Sequence, residues 1–320
     1  MGYPAPTTTA STPIPPPLPL NALPPEIFSA VLLGSDSESS YVGRTDSILI
    51  VLINRETGAA SLLSIPRDLF VYIPGWTMER INIAYSLGGW DLLTLTLEYN
   101  LGLRPDYWAL VRFEDFVRFI NDLGGIDVPV SHPLPDDCGG IPSGTFRMSG
   151  EAALCYVRER QTSSDVDRSR RQQEVLAAIL DRVWSLDGLR QLPEWYDRYE
   201  GSIESNLWLY DLIELIPVAL KFQDAGLQTY QIGWDQVMPW QDPESGAMVL
   251  LPKREEVSYV IQQAVNAVQV PIPTSPALET RIAILTATVT PLPTETQEPA
   301  IEPAVLPSET SMETPKPNDD

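Results

Sequence analysis

The chain is poor in the residues on which much metal and nucleophile chemistry depends. Its 320 residues include one histidine, His132, and two cysteines, Cys138 and Cys155. A single imidazole argues against a zinc centre and against a His-activated nucleophile, and His132, set before Pro133 in a loop, reads as a surface residue. Positive charge is also scarce, with 21 Lys and Arg against 43 Asp and Glu and a formal net charge of -22. A surface of that sign repels a phosphate backbone, so no nucleic-acid partner is expected. No apolar run approaches the ~20 residues that a membrane-spanning helix needs. The longest run, 48–53, has strand character, and the N-terminus lacks the charged start and apolar middle of a signal peptide.

What is present divides the chain into three parts. Residues 1–25 are rich in Pro, Thr and Ser, a composition too poor in apolar content to fold and stiffened by proline; they read as a disordered linker. Residues 271–320 form a second disordered extension, rich in Pro, Thr and Glu. Between them, 26–270 has the composition of a domain with a proper core. Apolar runs at 27–33 and 47–54 predict strands buried on both faces. A third strand, 60–65, follows across the Glu56-Thr57-Gly58 turn, and 71–73 is a short fourth. A leucine-rich helix at 91–101, a strand at 106–113, a helix at 114–123 stopped by Gly124-Gly125 and a strand at 126–130 come next. Beyond a Pro- and Gly-rich loop at 131–146, residues 154–160 suggest a strand. A helix then begins near Asp167 and buries Val175, Leu176, Ile179 and Leu180. Residues 212–222 predict a helix, 227–232 and 248–251 a closing strand pair, and 254–267 a last helix. The alternation argues for an α/β fold with three layers, α/β/α, around a central mixed sheet.

Three groups carry recognisable chemistry. Asp36 and Asp46 sit at strand ends, in Gly34-Ser35-Asp36 and Gly43-Arg44-Thr45-Asp46. Carboxylates there suit a hard divalent cation that touches phosphate oxygens; turn capping beside glycine is the commoner role, and both readings stand. Pro66 enforces an extended approach to Arg67-Asp68. Arg67 is thereby presented at a strand end, either paired with a neighbouring acid or as a clamp on developing charge. Against the acidic background, Arg158, Arg160, Arg168, Arg170 and Arg171 crowd into 156–173. On a strand Arg158 and Arg160 would share a face, and on a helix capped by the Ser163-Ser164-Asp165 run, Arg168, Arg171 and Gln172 would form one stripe. Guanidinium forks held in this way suit a pyrophosphate. The plainer alternative is a solvated helix face with internal ion pairs.

The order of these motifs, GSD, RTD, IPRD, YVRER, D-x-x-R and RQQ, resembles the LytR-CpsA-Psr family of bacterial cell-envelope phosphotransferases over roughly residues 30–267. The resemblance implies transfer of a glycan phosphate from a polyprenyl pyrophosphate-linked precursor to a peptidoglycan hydroxyl, with release of polyprenyl phosphate and, as a side activity, pyrophosphate cleavage. Arg67 and Asp165 are the implied catalytic residues. Asp165 stands for the acid of the family's D-F-G-R motif, where Val166 and Asp167 here replace Phe and Gly. Arg67, Arg158, Arg160, Arg168 and Gln172 are the implied pyrophosphate contacts. Arg44, Arg171 and, from an element like the family's K/R-I-N-A-A-Y, Arg80 and Asn82 are secondary. Asp36 and Asp46 would hold Mg2+, or alternatively Mn2+. An apolar tunnel between sheet and helices is implied for the lipid tail, to which aromatic residues of 195–210 could contribute. The implied setting is extracytoplasmic, with a monomer that meets the membrane surface through its lipid substrate and a native form anchored by an N-terminal membrane helix missing from this chain. That setting favours a Cys138–Cys155 disulfide over a free loop thiol and a buried thiol. The alternative functions are a module that binds polyprenyl pyrophosphate without turnover and an envelope-associated regulator.

Overall fold

The computed structural model describes residues 2–35, 45–134, 138–159, 165–225 and 227–269. The chain opens its sheet with β1 (Ile27–Ser35), β2 (Thr45–Asn54) and β3 (Ala60–Ile65). Asn54 closes the β2–β3 turn, its Oδ1 accepting from the N–H groups of Glu56 and Thr57 at 2.9 Å. The hairpin β4 (Phe70–Tyr72) and β5 (Met78–Arg80) leads into α1 (Ala84–Leu101). Non-helical geometry at Gly88 and Gly89 breaks α1 near its start, so its leucine-rich part begins close to the predicted position. Then come β6 (Tyr107–Arg112), α2 (Phe113–Asp122), the hairpin β7 (Ile126–Val130) and β8 (Gly144–Met148), α3 (Gly150–Arg158), α4 (Asp165–Val183) and α5 (Leu186–Tyr199). The described chain finishes with β9 (Glu204–Ser205), α6 (Leu209–Glu214), α7 (Ile216–Ala225), β10 (Leu227–Gln231), β11 (Val237–Gln241), β12 (Met248–Pro252) and α8 (Arg254–Ala267).

The expected three-layer α/β/α architecture is present. The sheet order is β10-β3-β2-β1-β6-β9. It is mixed, because β1–β2 and β2–β3 are antiparallel whereas β1–β6 and β3–β10 are parallel. Alternate residues face opposite layers. Val31, Leu33, Ile50, Leu52 and Leu63 pack with Leu93 and Leu97 of α1 and with Ile261 and Ala264 of α8. Ala30, Leu49, Val51 and Leu62 pack with Leu189 of α5 and with Val218 and Ala219 of α7. A further cluster joins the β7–β8 hairpin to α2, α3 and α4 through Ile120, Val128, Met148, Ala153, Tyr156 and Val175. There the Cys138–Cys155 disulfide is formed, with Cα atoms 5.9 Å apart and the partners separated by 17 positions in the sequence. In the chain-entropy picture a loop of that size contributes about 3 kcal/mol.

Three expectations are corrected. Residues 154–158 are helical, so Arg158 does not share a strand face with Arg160, which lies outside the described residues. Ser149 caps α3 by accepting from the Ala152 N–H at 3.4 Å, and Gly150 lets the helix start against Val117, where a Cβ would meet the backbone at 2.1 Å. Nor do 227–232 and 248–251 pair with each other. β10 adds in parallel to β3, and β12 pairs with β11, a strand hidden in the sequence by Pro239.

The third correction concerns the N-terminal segment, which lies along the domain rather than apart from it. Tyr3, Ala10 and Ile14 pack against the cluster of Phe70, Tyr72, Met78 and Tyr99. Tyr72 and Tyr99 donate from their hydroxyls to the carbonyls of Pro4 and Pro15 at 2.7 and 2.8 Å, and Arg254 donates to Pro16 O at 2.6 Å. Leu18 N–H meets Tyr99 O at 2.9 Å and Asn21 N–H meets Gly102 O at 2.8 Å. A proline-rich segment keeps its carbonyls free of internal hydrogen bonds, and donors distant in sequence satisfy them. Gly102, at φ 64°, admits Pro19 O to within 2.2 Å of where a Cβ would stand. The expected tail at 271–320 lies outside the described residues.

Deleting residues 2–21 should therefore cost on the order of 2 kcal/mol, or roughly 4–8 °C in Tm for a domain of this size. Thermal unfolding monitored by circular dichroism measures this directly, and an unchanged Tm would show that these contacts carry no net stability.

Candidate active site

The sheet topology brings five strand ends to one edge. Ser35 at the end of β1 is in register with Thr45 at the start of β2 and with Arg112 at the end of β6. Ile65 at the end of β3 faces Ile48, and Gln231 at the end of β10 faces Ser64. Carboxyl ends of strands in an open α/β sheet are where ligands commonly bind. A cavity of about 240 Å³ opens there. Its mouth carries Asp46, Ser47, Arg158, Arg168 and Gln172, and its interior is apolar.

The spacing along α4 produces that division. Arg168, Gln172, Val175, Leu176 and Ile179 recur at helical intervals and line one wall, so the wall turns from polar to apolar along the helix axis. Phe113, Phe116 and Phe119 of α2, Leu154 and Val157 of α3, and Leu32 and Leu49 of the sheet complete the interior. The three-residue spacing of the phenylalanines is a sequence signal that could have found that face. Reading 154–160 as a strand conceals Leu154 and Val157. A second cavity of about 290 Å³ shares Val111, Phe119 and Ile203 with the first and is walled by Trp195, Tyr196 and Trp208 from the aromatic stretch.

Beside the mouth lies a chain of alternating charge. Arg67 bonds to Asp46 through Nη1 and contacts Asp68 through Nε at 3.4 Å, and Arg80 reaches Asp68 at 3.5 Å. Each of these four side chains is about a fifth exposed, at 19–21%. The arrangement retains solvent access, so its internal pairing is screened. Asn82 is 2% exposed, and its backbone N–H and C=O meet Arg67 O and the Thr45 hydroxyl, both at 3.2 Å. It braces the loop that carries Arg67, and its own Oδ1 has no hydrogen-bond partner among the described residues.

The arginine-rich stretch separates into different roles. Arg158 is exposed at the end of α3, with its guanidinium over the Phe113 ring at 4.8 Å. Arg168 lies in the first turn of α4, where the helix dipole is positive, and is 8% exposed. Ser47 Oγ donates to Gln172 Oε1 at 3.3 Å, which holds that amide at the mouth. Arg171, expected as a secondary ligand contact, is instead structural. It is 1% exposed and donates to Tyr156 O at 2.8 Å and Glu159 O at 2.6 Å. Burial pulls its pKa down, and the negative charge of Glu159 opposes that shift. Gln173 is structural too, spanning Ser64 Oγ at 2.9 Å and Tyr230 O at 2.7 Å. Asp167 pairs with Arg170 at 3.3 Å, and Arg170 also lies 3.8 Å from Glu174. Tyr156 donates to Glu174 at 2.6 Å; burial, first, and that carboxylate, second, raise the phenol's pKa.

Asp36, Arg44 and Arg160 lie outside the described residues. Asp165 is the first residue of α4, and its side chain lies outside them as well. Among the described residues no three His, Cys, Asp or Glu side chains gather as a metal site, and no helix is long and apolar enough to cross a membrane. Arg171→Lys should lower stability by about 2 kcal/mol, because an ammonium cannot reproduce the two-carbonyl fork. Arg158→Lys should leave Tm unchanged. Denaturant unfolding of both variants checks this, and equal losses would contradict the assignment.

The LytR_cpsA_psr family model matches residues 20–264. Over 203 residues the chain is 36% identical to "Polyisoprenyl-teichoic acid--peptidoglycan teichoic acid transferase TagT" of Bacillus subtilis, covering 59% of this chain and 63% of that protein. The chain thus spans less than two thirds of that relative's length. The crystal structure of B. subtilis TagV superposes with a TM-score of 0.66 at 25% identity, covering 78% of this chain and 100% of TagV. A structure of the family protein YwtF (TagT) with bound octaprenyl pyrophosphate lipid superposes with a TM-score of 0.58 at 28% identity, covering 77% of this chain and 92% of that one.

Proposed function

This chain belongs to the LytR-CpsA-Psr family, and from that premise we propose that it transfers a glycan phosphate from a polyprenyl pyrophosphate carrier to a peptidoglycan hydroxyl at the cell envelope. The observation that carries this reading is the cavity itself: a polar mouth of Asp46, Arg158, Arg168 and Gln172 leads into an apolar interior. An amphiphile with a pyrophosphate head and an isoprenoid tail has the same division. The octaprenyl pyrophosphate bound to YwtF (TagT) is such a molecule.

In this reading Arg158 and Arg168 bind pyrophosphate oxygens through guanidinium forks, and Gln172 adds an amide donor. The acceptor hydroxyl attacks the phosphorus that bears the glycan. The bond from that phosphorus to the bridging oxygen breaks, and polyprenyl phosphate departs with the electron pair. Arg67 stands where charge accumulates on the transferring group, and its partners Asp46 and Asp68 fix its orientation beforehand. Asp165 receives the hydroxyl proton. Positioning and charge neutralisation account for most of the catalysis in transfers of this type.

Mg2+ fits the donor chemistry of the mouth, since the ion is held by one or two carboxylates and completes its shell with water and phosphate oxygens. Asp46 is such a carboxylate at the mouth, and Asp36 would be the second. When bound, the ion neutralises charge on the phosphate oxygens. The chain works as a monomer outside the cytoplasm and meets the membrane through its lipid substrate.

Cleavage of octaprenyl pyrophosphate, measured beside a binding titration of the same lipid, tests the reading. Arg67→Ala should raise the barrier by roughly 2–4 kcal/mol with little change in lipid affinity, the pattern of a contact made in the transition state. Arg158→Ala should weaken binding as well. Asp46→Asn should remove Mg2+-stimulated turnover, because an amide is a poor substitute for a carboxylate toward a hard cation. Binding without cleavage in the wild-type protein would leave a lipid-binding module in place of an enzyme.

A further inference from the structure

We propose that Ser47 is a positioning residue for pyrophosphate recognition: its hydroxyl holds the Gln172 amide by the oxygen and so leaves the Nε2 donor for the lipid head. This inference rests on the transfer reading above and adds to it the residue that sets the polarity of one of its contacts.

Alternation along β2 sends Ile48, Ile50 and Leu52 to the layer of α1 and α8, and Leu49 and Val51 to the opposite layer. Ser47, two residues before Leu49, therefore faces the cavity with it. By the same alternation Asp46 would turn away, yet it lines the cavity beside Ser47. The strand register explains the exception. Gly34 of β1 pairs with Ser47 and Ser35 pairs with Thr45, which leaves Asp46 as the extra residue of a β-bulge. Bulges re-aim side chains next to binding sites, and this one brings a carboxylate and a hydroxyl to the same wall. Gly34 keeps the place clear, since a Cβ there would stand 3.2 Å from Ser47 Cβ.

The hydroxyl so placed decides which end of Gln172 meets a ligand. Ser47 Oγ donates to Gln172 Oε1 at 3.3 Å, and among the described residues this is the one hydrogen bond of that amide. A side-chain amide has an acceptor end and a donor end. With its oxygen engaged on β2, Gln172 offers Nε2 at the mouth, where Arg168, one turn earlier on α4, supplies a guanidinium. The reverse orientation would set a carbonyl oxygen against phosphate oxygens and repel them. Seating the helix is a separate task, carried out by the next residue. Gln173 is buried and donates to Ser64 Oγ at 2.9 Å and to Tyr230 O at 2.7 Å, which pins α4 to β3 and β10. Two successive glutamines thus each meet a serine on adjacent strands, one to hold the helix and the other to be aimed. Removing the Ser47 hydroxyl takes away the aim and leaves the helix in place.

Titrations of the full chain in detergent with octaprenyl pyrophosphate and with octaprenol, which has the same tail and an uncharged head, test this role. Ser47→Ala should weaken octaprenyl pyrophosphate binding about threefold to tenfold, the worth of one oriented hydrogen bond, and should leave octaprenol affinity and Tm unchanged. Ser47→Thr keeps the hydroxyl and should retain most of the affinity. Because Ser47 acts through Gln172, adding Ser47→Ala to Gln172→Ala should cost nothing further, the non-additivity of a coupled pair. Equal binding of octaprenyl pyrophosphate by wild type and Ser47→Ala overturns the assignment, as does a full additional loss in the double variant. A parallel loss of octaprenol affinity overturns it in favour of a role in shaping the cavity. Failure of the wild type to bind octaprenyl pyrophosphate overturns the transfer reading and this assignment with it, whereas the preceding outcomes leave the transfer reading standing.

Discussion

The buried guanidinium of Arg171 is the contact on which the site's geometry most depends. It joins the last turn of α3, through Tyr156 O, and the residue beyond that helix, through Glu159 O, to the second turn of α4. Tyr156 reciprocates through its hydroxyl to Glu174, one turn further along α4. These two side chains fix the separation and rotation of the helices that carry Arg158 and Arg168. A guanidinium so placed must satisfy its donors locally, because an unpaired buried charge costs several kcal/mol. The carbonyls at the end of α3, which have no helical partners of their own, meet that demand.

Charge is managed differently at the mouth. Arg67, Asp46, Asp68 and Arg80 alternate in sign along a partly exposed path, which lets a strongly acidic chain present guanidinium groups at one point without leaving them mutually repelling. Arg158 is placed over an aromatic face that attracts a cation. The mouth is therefore a local reversal of a global charge of -22. The reversal is built by topology, since Asp46, Arg67, Arg158 and Arg168 come from four separate segments.

Apolar surface is organised around the same edge. The sheet face bearing Leu32 and Leu49 is left partly uncovered by α4, and α2 places three phenylalanines opposite it, so the cavity arises where two layers are held apart. Val111, Phe119 and Ile203 border this space and the second cavity alike. On the other side of the domain the N-terminal segment covers a tyrosine-rich surface by offering carbonyls to hydroxyls.

Local chemistry decided much of this protein before tertiary structure entered. The apolar runs of β1, β2 and β3 can be satisfied only by burial on both faces, and their alternation with helices leaves a layered sheet as the solution. The stripe from Arg168 to Ile179 follows from helical periodicity alone, as does α8, whose bounds match the predicted 254–267. Other features were beyond local reading because each depends on a partner distant in the chain. Arg168, Arg171 and Gln172 belong to one stripe by spacing, yet Arg171 is committed to α3 and the others to the cavity, a distinction set by which flank of α4 another helix covers. The strand reading of 154–158 failed because the Ser149 cap and the contact of Gly150 with Val117 stabilise a helix that alternation cannot reveal. β10 and β12 both have strand character, but pairing partners are chosen by topology and not by propensity. The proline-rich N-terminus looked unable to fold because its own composition contains too little apolar surface and is stiffened by proline; Tyr72, Tyr99 and Arg254 donate to its carbonyls, and only the tertiary fold brings them within reach.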